Sequence, residues 1–529
     1  MQDRKQIQIG GKIASAPFLS FLLGWFLCLI PLWSSAQSNY IAFELARKDN
    51  FAPLITEDLD GDGAKDIIIS HYQPGLGREL HIYRQQADGN FAATPQRIEI
   101  KTEIIAVGFA DVRPQSGTEL ILFAANALYS LSTAIDGYAG NIRQLLQWDM
   151  IATVPNLERV LFIDNIVDIN NDGFVDLLLP GDNVYGFFKG TGTEEFELVS
   201  TFSTINQTIP QARRRDDDRR DANISINPER GVVVEIAAQV PSPFAHYIEQ
   251  WGETETEARS LLRSEQWMPA ASLALLDGDE LLDIAYINVG DDGRGQLNIH
   301  YQSLATGFRE SPDWTGSLET SGDLQLIDLN NDQQADLYRL SGDGDEWDAR
   351  FFLNHNGEFN LQQPNQIMRF SGYDVRLSFI DIATESAPVM NVSYYTVPVV
   401  EVIRNASINR IQLLYGVAQV EPNQLFNRRP DSRLQESFSA SNVRGLSEQM
   451  SMRYDVDGDG SVDALYITDS GTLAAKKIGE DLRIADQPFW EYVSPRTVFE
   501  FEVLQLNDDS RPDLLLLHGA ATTILVSAP

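Results

Sequence analysis

Cysteine is almost missing from this chain: Cys28 is the only one in 529 residues. Basic residues are scarce as well, with 40 Lys+Arg against 76 Asp+Glu and a formal charge of −36. Each shortage excludes something. Phosphate binding needs a concentrated positive surface, so nucleic acid is not an expected partner. Anionic membrane surfaces are disfavoured for the same reason. Without a second cysteine there is no disulfide framework and no thiolate zinc site. Catalytic signatures are also missing: there is no His-Glu-x-x-His, no Gly-x-Ser-x-Gly and no phosphate loop. The six histidines (71, 81, 246, 300, 355 and 518) are scattered, and among so many carboxylates no catalytic pair stands out. The apolar content of 43% is nevertheless enough for a packed core, which excludes a disordered acidic tail.

One long apolar run is present, from Phe18 to Trp33, preceded by Arg4, Lys5 and Lys12 and followed by Ser34-Ser35-Ala36. A positive start, an apolar middle and a small-residue end predict a secretory signal peptide over residues 1–36. Interrupted by Gly24 and Pro31, the run is short for a bilayer span of roughly 20 residues, so no stable membrane insertion is expected after cleavage. Removing residues 1–36 takes Asp3, Arg4, Lys5 and Lys12 from 76 acids and 40 bases, leaving a charge of −38 and no cysteine. The expected location is periplasmic, extracellular or on the cell surface.

The remainder, 37–529, is built on an internal repeat. Asp58-Leu-Asp60-Gly-Asp62-Gly-Ala-Lys-Asp66 precedes the run Ile67-Ile68-Ile69. The pattern returns with Asp168, Asn170, Asp172 and Asp176, with Asp328, Asn330, Asp332 and Asp336, and with Asp455, Asp457, Asp459 and Asp463. Weaker copies keep Asp277, Asp279 and Asp283, or Asn507, Asp509 and Asp513, but have Leu275 and Gln505 in the first position. The stretches 111–119 and 381–389 keep the spacing and lose the middle acids, and a further unit near Ser225 is recognisable mainly by position. First positions at 58, 111, 168, 225, 275, 328, 381, 455 and 505 give nine units. A second marker, Phe91, Phe196, Phe308 and Phe359, keeps the same period and reads as part of a late strand.

Each unit reads as four short strands, which predicts an all-β chain folded as a single β-propeller of four-stranded blades. Eight or nine blades are expected, seven being the lower alternative. After Asp513 only two strands remain, so Tyr40 to Leu45 is expected to supply the missing strand and close the ring. The longer step from 381 to 455 predicts a loop insertion near 415–447.

Four oxygen side chains at positions 1, 3, 5 and 9 suit a hard cation such as calcium, which takes six to eight oxygens at about 2.3–2.6 Å. An EF-hand would need Glu at position 12 between helices, where this chain has Ile69, Leu179, Arg339 and Tyr466 between strands. The alternative is a set of Asp/Asn/Gly turns without metal, yet a loop such as 455–463 gathers four carboxylates that repel one another. These loops resemble the calcium-binding FG-GAP and VCBS repeats, propeller units also found in the N-terminal region of integrin α subunits. The resemblance implies about four calcium ions, one in each complete loop, and up to six if the 277–283 and 507–513 loops also bind.

On function, the expected class is an exported calcium-binding propeller acting as a protein- or glycan-binding adhesion or scaffold module. In such propellers, the resemblance implies, ligands approach the face away from the calcium loops. Segments expected on that face are His71-Tyr72, Asp291 to Arg294, Asp343 to Trp347 and the Arg213–Arg220 run. The alternative is a carbohydrate-active enzyme, a polysaccharide lyase or hydrolase, on the same scaffold. Nothing in the sequence names the ligand.

Overall fold

In the computed structural model the described residues are 40–46, 54–151, 157–163, 166–205, 207–210, 224–227, 231–237, 263–289, 294–319, 323–382, 385–396, 407–418, 424–439, 450–468, 470–507, 509 and 511–527. The expected signal segment 1–36, the Arg213–Arg220 run and residues 291–293 lie outside them. Every regular element among the described residues is a strand.

Blade 1 shows how the sequence builds the unit. Its strands Leu54–Glu57, Asp66–Gln73, Gly77–Tyr83 and Gln96–Ile100 pair antiparallel in chain order. In the second strand Asp66 is followed by Ile67-Ile68-Ile69, and all three isoleucines are buried. β-branched residues suit a pleated strand. Alternation fails here because a blade is covered on both faces by its neighbours, so both sides of the strand must be apolar. The last blade carries this furthest: every residue of Asp513–Leu517 and Ala521–Ser527 is buried.

Eight blades form the ring. Blades 2 to 7 start at Ile104, Ile166, Ser272, Asp323, Tyr373 and Ser451. Blade 2 gains a short fifth strand, Leu161–Phe162, running parallel to Ile104–Ala110. Blade 8 contains Glu500–Leu504, Asp513–Leu517 and Ala521–Ser527, and Tyr40–Ala46 completes it as the outer strand. Its register runs from Tyr40 opposite Ser527 to Ala46 opposite Ala521, so the two ends of the chain close the ring as expected. Eight apolar clusters fill the eight junctions between consecutive blades, for example Leu59, Ile82, Val107 and Leu120 between blades 1 and 2. The cluster of Ile169, Tyr185, Phe202, Ile284, Tyr286 and Phe308 joins blade 3 directly to blade 4.

That junction corrects the unit placed at Ser225. Strands Gln207–Pro210, Ile224–Asn227, Gly231–Ala237 and Arg263–Met268 form a four-stranded sheet of their own, but out of chain order, with Gln207–Pro210 beside Arg263–Met268. The ring passes from blade 3 to blade 4 without it. An insertion about one period long mimics a blade in spacing alone.

The phenylalanine marker also moves. Phe91 pairs with Gln85, Phe359 closes the hairpin Asn354–His355/Glu358–Phe359, and Phe308 follows the Ser303–Gly307 bridge. These three sit in the connection between third and fourth strands, and only Phe196 begins a fourth strand. All three connection residues are buried in blade junctions, so burial there, and not a place in the fourth strand, accounts for their period. Within the stretch 415–447, Ser432–Ser439 forms the outer strand of blade 6.

Candidate metal centre

The acidic loops lie between the first and second strands of their blades. Asp58 organises the first of them: its Oδ1 accepts the amide of Gly61 at 2.6 Å and its Oδ2 that of Gly63 at 2.9 Å. Asp168, Asp328 and Asp455 make the corresponding bonds to residues three to five positions on. The chain must then turn through positive φ at the fourth position, which is Gly61, Asn171, Asn331 and Gly458. Glycine and asparagine tolerate that conformation best. Asp62, Asp172, Asp332 and Asp459 each accept the amide two residues on.

The ninth position behaves differently. Asp66, Asp176, Asp336 and Asp463 are buried, and so are Asp283, Asp513 and Glu119 of the weaker loops. In all seven, one carboxylate oxygen accepts the amide of the residue seven positions earlier: Leu59, Ile169, Leu329, Val456, Leu276, Leu506 or Val112. In five of them the other oxygen accepts an amide at or just past the end of the third strand, from Gln85, Gly190, Asn354, Gln302 or Ser527. The ninth residue is therefore a latch between the loop and the following hairpin. Blade 6 has buried Val389 there. The apolar second position, buried in all seven latched blades, belongs to the same device and escaped the sequence reading, although it recurs as faithfully as the acids.

Burial pushes the latch carboxyls up against the amide bonds that favour their charged form. Asp283 and Asp336 rise to about 7, and Asp176 and Asp463 to about 6, each mainly by desolvation. Asp66 and Asp513 shift the same way.

Neighbouring loops are tied edge to edge. The amide at the eighth position donates to the preceding loop: Lys65 to Leu506 O, Thr118 to Asp58 O, Leu282 to Ile169 O and Ala335 to Leu275 O. Packing at these seams is close, and a Cβ on Gly117 would lie 2.7 Å from Leu59 O.

In two loops the carboxylates converge. Asp58, Asp60 and Asp62 offer oxygens all within 4.8 Å of one another, as do Asp455, Asp457 and Asp463. Oxygen-only donors of this kind fit a hard cation. In the 168–176 loop, Asn170 is buried, and its Oδ1 has no hydrogen-bond partner among the described residues. Such an orphan acceptor is what a missing ligand contact leaves. In the 328–336 loop Asn330 Oδ1 accepts the Asp332 amide and its Nδ2 donates to Asp332.

The weaker loops differ. Asp277 and Asp279 accept loop amides. Around 507–513 the polar groups bond to one another: Asn507 Nδ2 donates to Ser527 O, Ser527 Oγ donates to Asp509, and Gln505 donates to two loop carbonyls. Elsewhere, His81 and His300 are buried on strands, the former stacked on His71 and the latter against Tyr286 and Phe202.

No protein-family profile matches the chain, and no curated protein does. Among solved structures, BBS1N in complex with ARL6DN is similar, at 10% identity and a TM-score of 0.34 over 93% of this chain and 96% of that one. The V. cholerae biofilm matrix protein Bap1 is similar at 11% identity and a TM-score of 0.27, over 90% of this chain and 77% of that one.

Proposed function

We propose that this protein is an exported, calcium-stabilised propeller that presents a protein- or glycan-binding surface as an adhesion or scaffold module. The observation that carries the reading is the convergence of Asp58, Asp60 and Asp62, and of Asp455, Asp457 and Asp463, in loops hydrogen-bonded to their latches or to the next blade. In the complete loops Asp58, Asp60, Asp62 and Asp66 and their counterparts would hold one ion each. Bound calcium cancels the repulsion that the loop otherwise carries and favours the folded ring by mass action.

The opposite face offers the binding surface. Its connections include the Gln73–Gly77 turn, with exposed Tyr72 and Leu76, and the Asp343–Glu346 turn beside Trp347. Tyr72 is exposed and Trp347 half-buried at strand ends beside these turns, and aromatic side chains with one free edge suit recognition of protein or sugar surfaces. The enzyme reading has one observation in its favour, a concavity between the inner strands of blades 7 and 8 lined by Arg453, Tyr454, Phe501 and Glu502. A glycan-array screen of the calcium-loaded protein, with assay for released unsaturated sugar, separates the two. Binding that survives Arg453→Ala and is lost with Tyr72→Ala and Trp347→Ala supports the scaffold reading. Release of unsaturated sugar would replace it with the lyase.

A further inference from the structure

We propose that Arg84, Lys189 and Lys477 are resident counter-cations of the acidic loops, which hold each loop together without metal and compete with calcium for its carboxylates. The inference rests on the calcium reading above.

Each of these residues stands at the end of the third strand of its blade, opposite the ninth-position acid: Lys477, the last residue of its strand, pairs with Asp463, Lys189 is the penultimate residue of Val184–Gly190 and Arg84 follows directly on Gly77–Tyr83, continuing the pairs Leu177–Phe188 and Ile67–Tyr83. A side chain there reaches the loop from behind. Lys477 Nζ lies 2.7 Å from Asp457, 2.7 Å from Asp459 and 3.2 Å from Asp463, so it touches three of the four carboxylates at once. The ring of Phe489 packs against the same ammonium, with the centroid 4.5 Å away. In this blade no amide reaches the outer oxygen of the latch. Asp463 Oδ1 has the ammonium at 3.2 Å in ion-pair contact, without hydrogen-bond geometry. Lys189 Nζ lies 2.7 Å from Asp172. Arg84 bonds to Asp66 and stands 3.9 Å from Asp60.

The basic residue at this register goes with the complete loops. Three of the four complete loops have a basic residue at this register, and the weaker loops do not: Asp283 faces Tyr301, Asp513 faces Val526 and Glu119 faces Ser132. In the 111–119 loop a cation is instead built in at the third position, where buried Arg113 bonds to Ser130, Asn141 and Glu194. The 328–336 loop is the exception among complete loops, because Asp336 faces Leu353. An ammonium among carboxylates and a bound cation satisfy the same charges, so one must be displaced for the other to bind. The consequence is a difference between loops: the 328–336 loop has no side-chain cation to displace, whereas the other three exchange one for the ion.

The test uses the full chain and calcium alone, with calorimetric titration and thermal melting for wild type, Lys477→Met and, as a second site should the first variant fold poorly, Lys189→Met. The expected result is a lower melting midpoint in chelator, together with one calcium site tightened about tenfold or more and a larger calcium-induced rise in midpoint than in wild type. An unchanged midpoint in chelator and an unchanged affinity would overturn the inference while leaving calcium binding intact. If the variants are destabilised in chelator and no protein responds to calcium, the calcium reading itself fails and competition fails with it.

Discussion

At the scale of single residues the structure separates two acid roles that look identical in the sequence. Positions 1, 3 and 5 lie in the turn of the loop and are mostly exposed or half-buried, whereas position 9 is an interior latch that survives in blades that have lost one or more of the other acids. Asp283 shows this most cleanly, because it accepts amides from Leu276 and Gln302 on different oxygens in a loop that lacks its first acid. Asparagine at this site can accept only one of those bonds and must turn an N–H toward the other donor. Asp283→Asn is therefore expected to cost about 1–3 kcal/mol in chemical denaturation. The exposed Asp279→Asn should cost under about 0.5 kcal/mol. Equal costs would remove the distinction. The raised latch carboxyls also set a pH dependence. A carboxyl whose folded pKa lies above its unfolded value contributes stability that is complete at low pH and lost as pH rises through the folded pKa. With Asp283 and Asp336 at about 7 and Asp176 and Asp463 at about 6, the chelated protein should melt higher at pH 5 than at pH 8. Calcium should reverse the trend, since its ligands must be ionised. A midpoint that rises from pH 5 to 8 in chelator would contradict this assignment.

At the scale of the element, the repeat was legible because the same loop must be rebuilt in each blade. The four strands, the loop between the first two, and closure by Tyr40–Ala46 all followed from spacing and apolar runs. Two things were not legible. Spacing counts residues and not neighbours, so the sheet between Gln207 and Met268 passed for a ninth blade until the contact of Ile169 with the blade at Ser272–Glu319 was seen. Phenylalanines 91, 308 and 359 read as strand residues, since a buried aromatic followed by a strand looks the same whether it sits in the strand or plugs the turn before it. The turn placement makes them junction residues. Phe359 packs with Leu276, Leu297 and Leu337 between blades 4 and 5 and meets Trp314 edge-on. Its replacement by alanine should cost about 3–5 kcal/mol in denaturant unfolding. A loss below about 1 kcal/mol would show that the plug is not part of the junction.

At the scale of the whole molecule, eight apolar junctions, a Velcro of one terminal strand and a chain of loop-to-loop amide bonds make one closed body from units that cannot bury both faces alone. The cost of the design is charge. The acidic loops bring carboxylates together at the seams between blades, in a chain already at −36. Three resident cations answer part of that repulsion, and calcium would answer the rest. The central claim is that the ring is held by calcium in its complete loops, and thermal melting at fixed ionic strength tests it most directly. With millimolar calcium the midpoint should stand well above that in chelator, and Asp58→Asn combined with Asp455→Asn should remove much of the difference. An identical midpoint with calcium and with chelator would contradict the account.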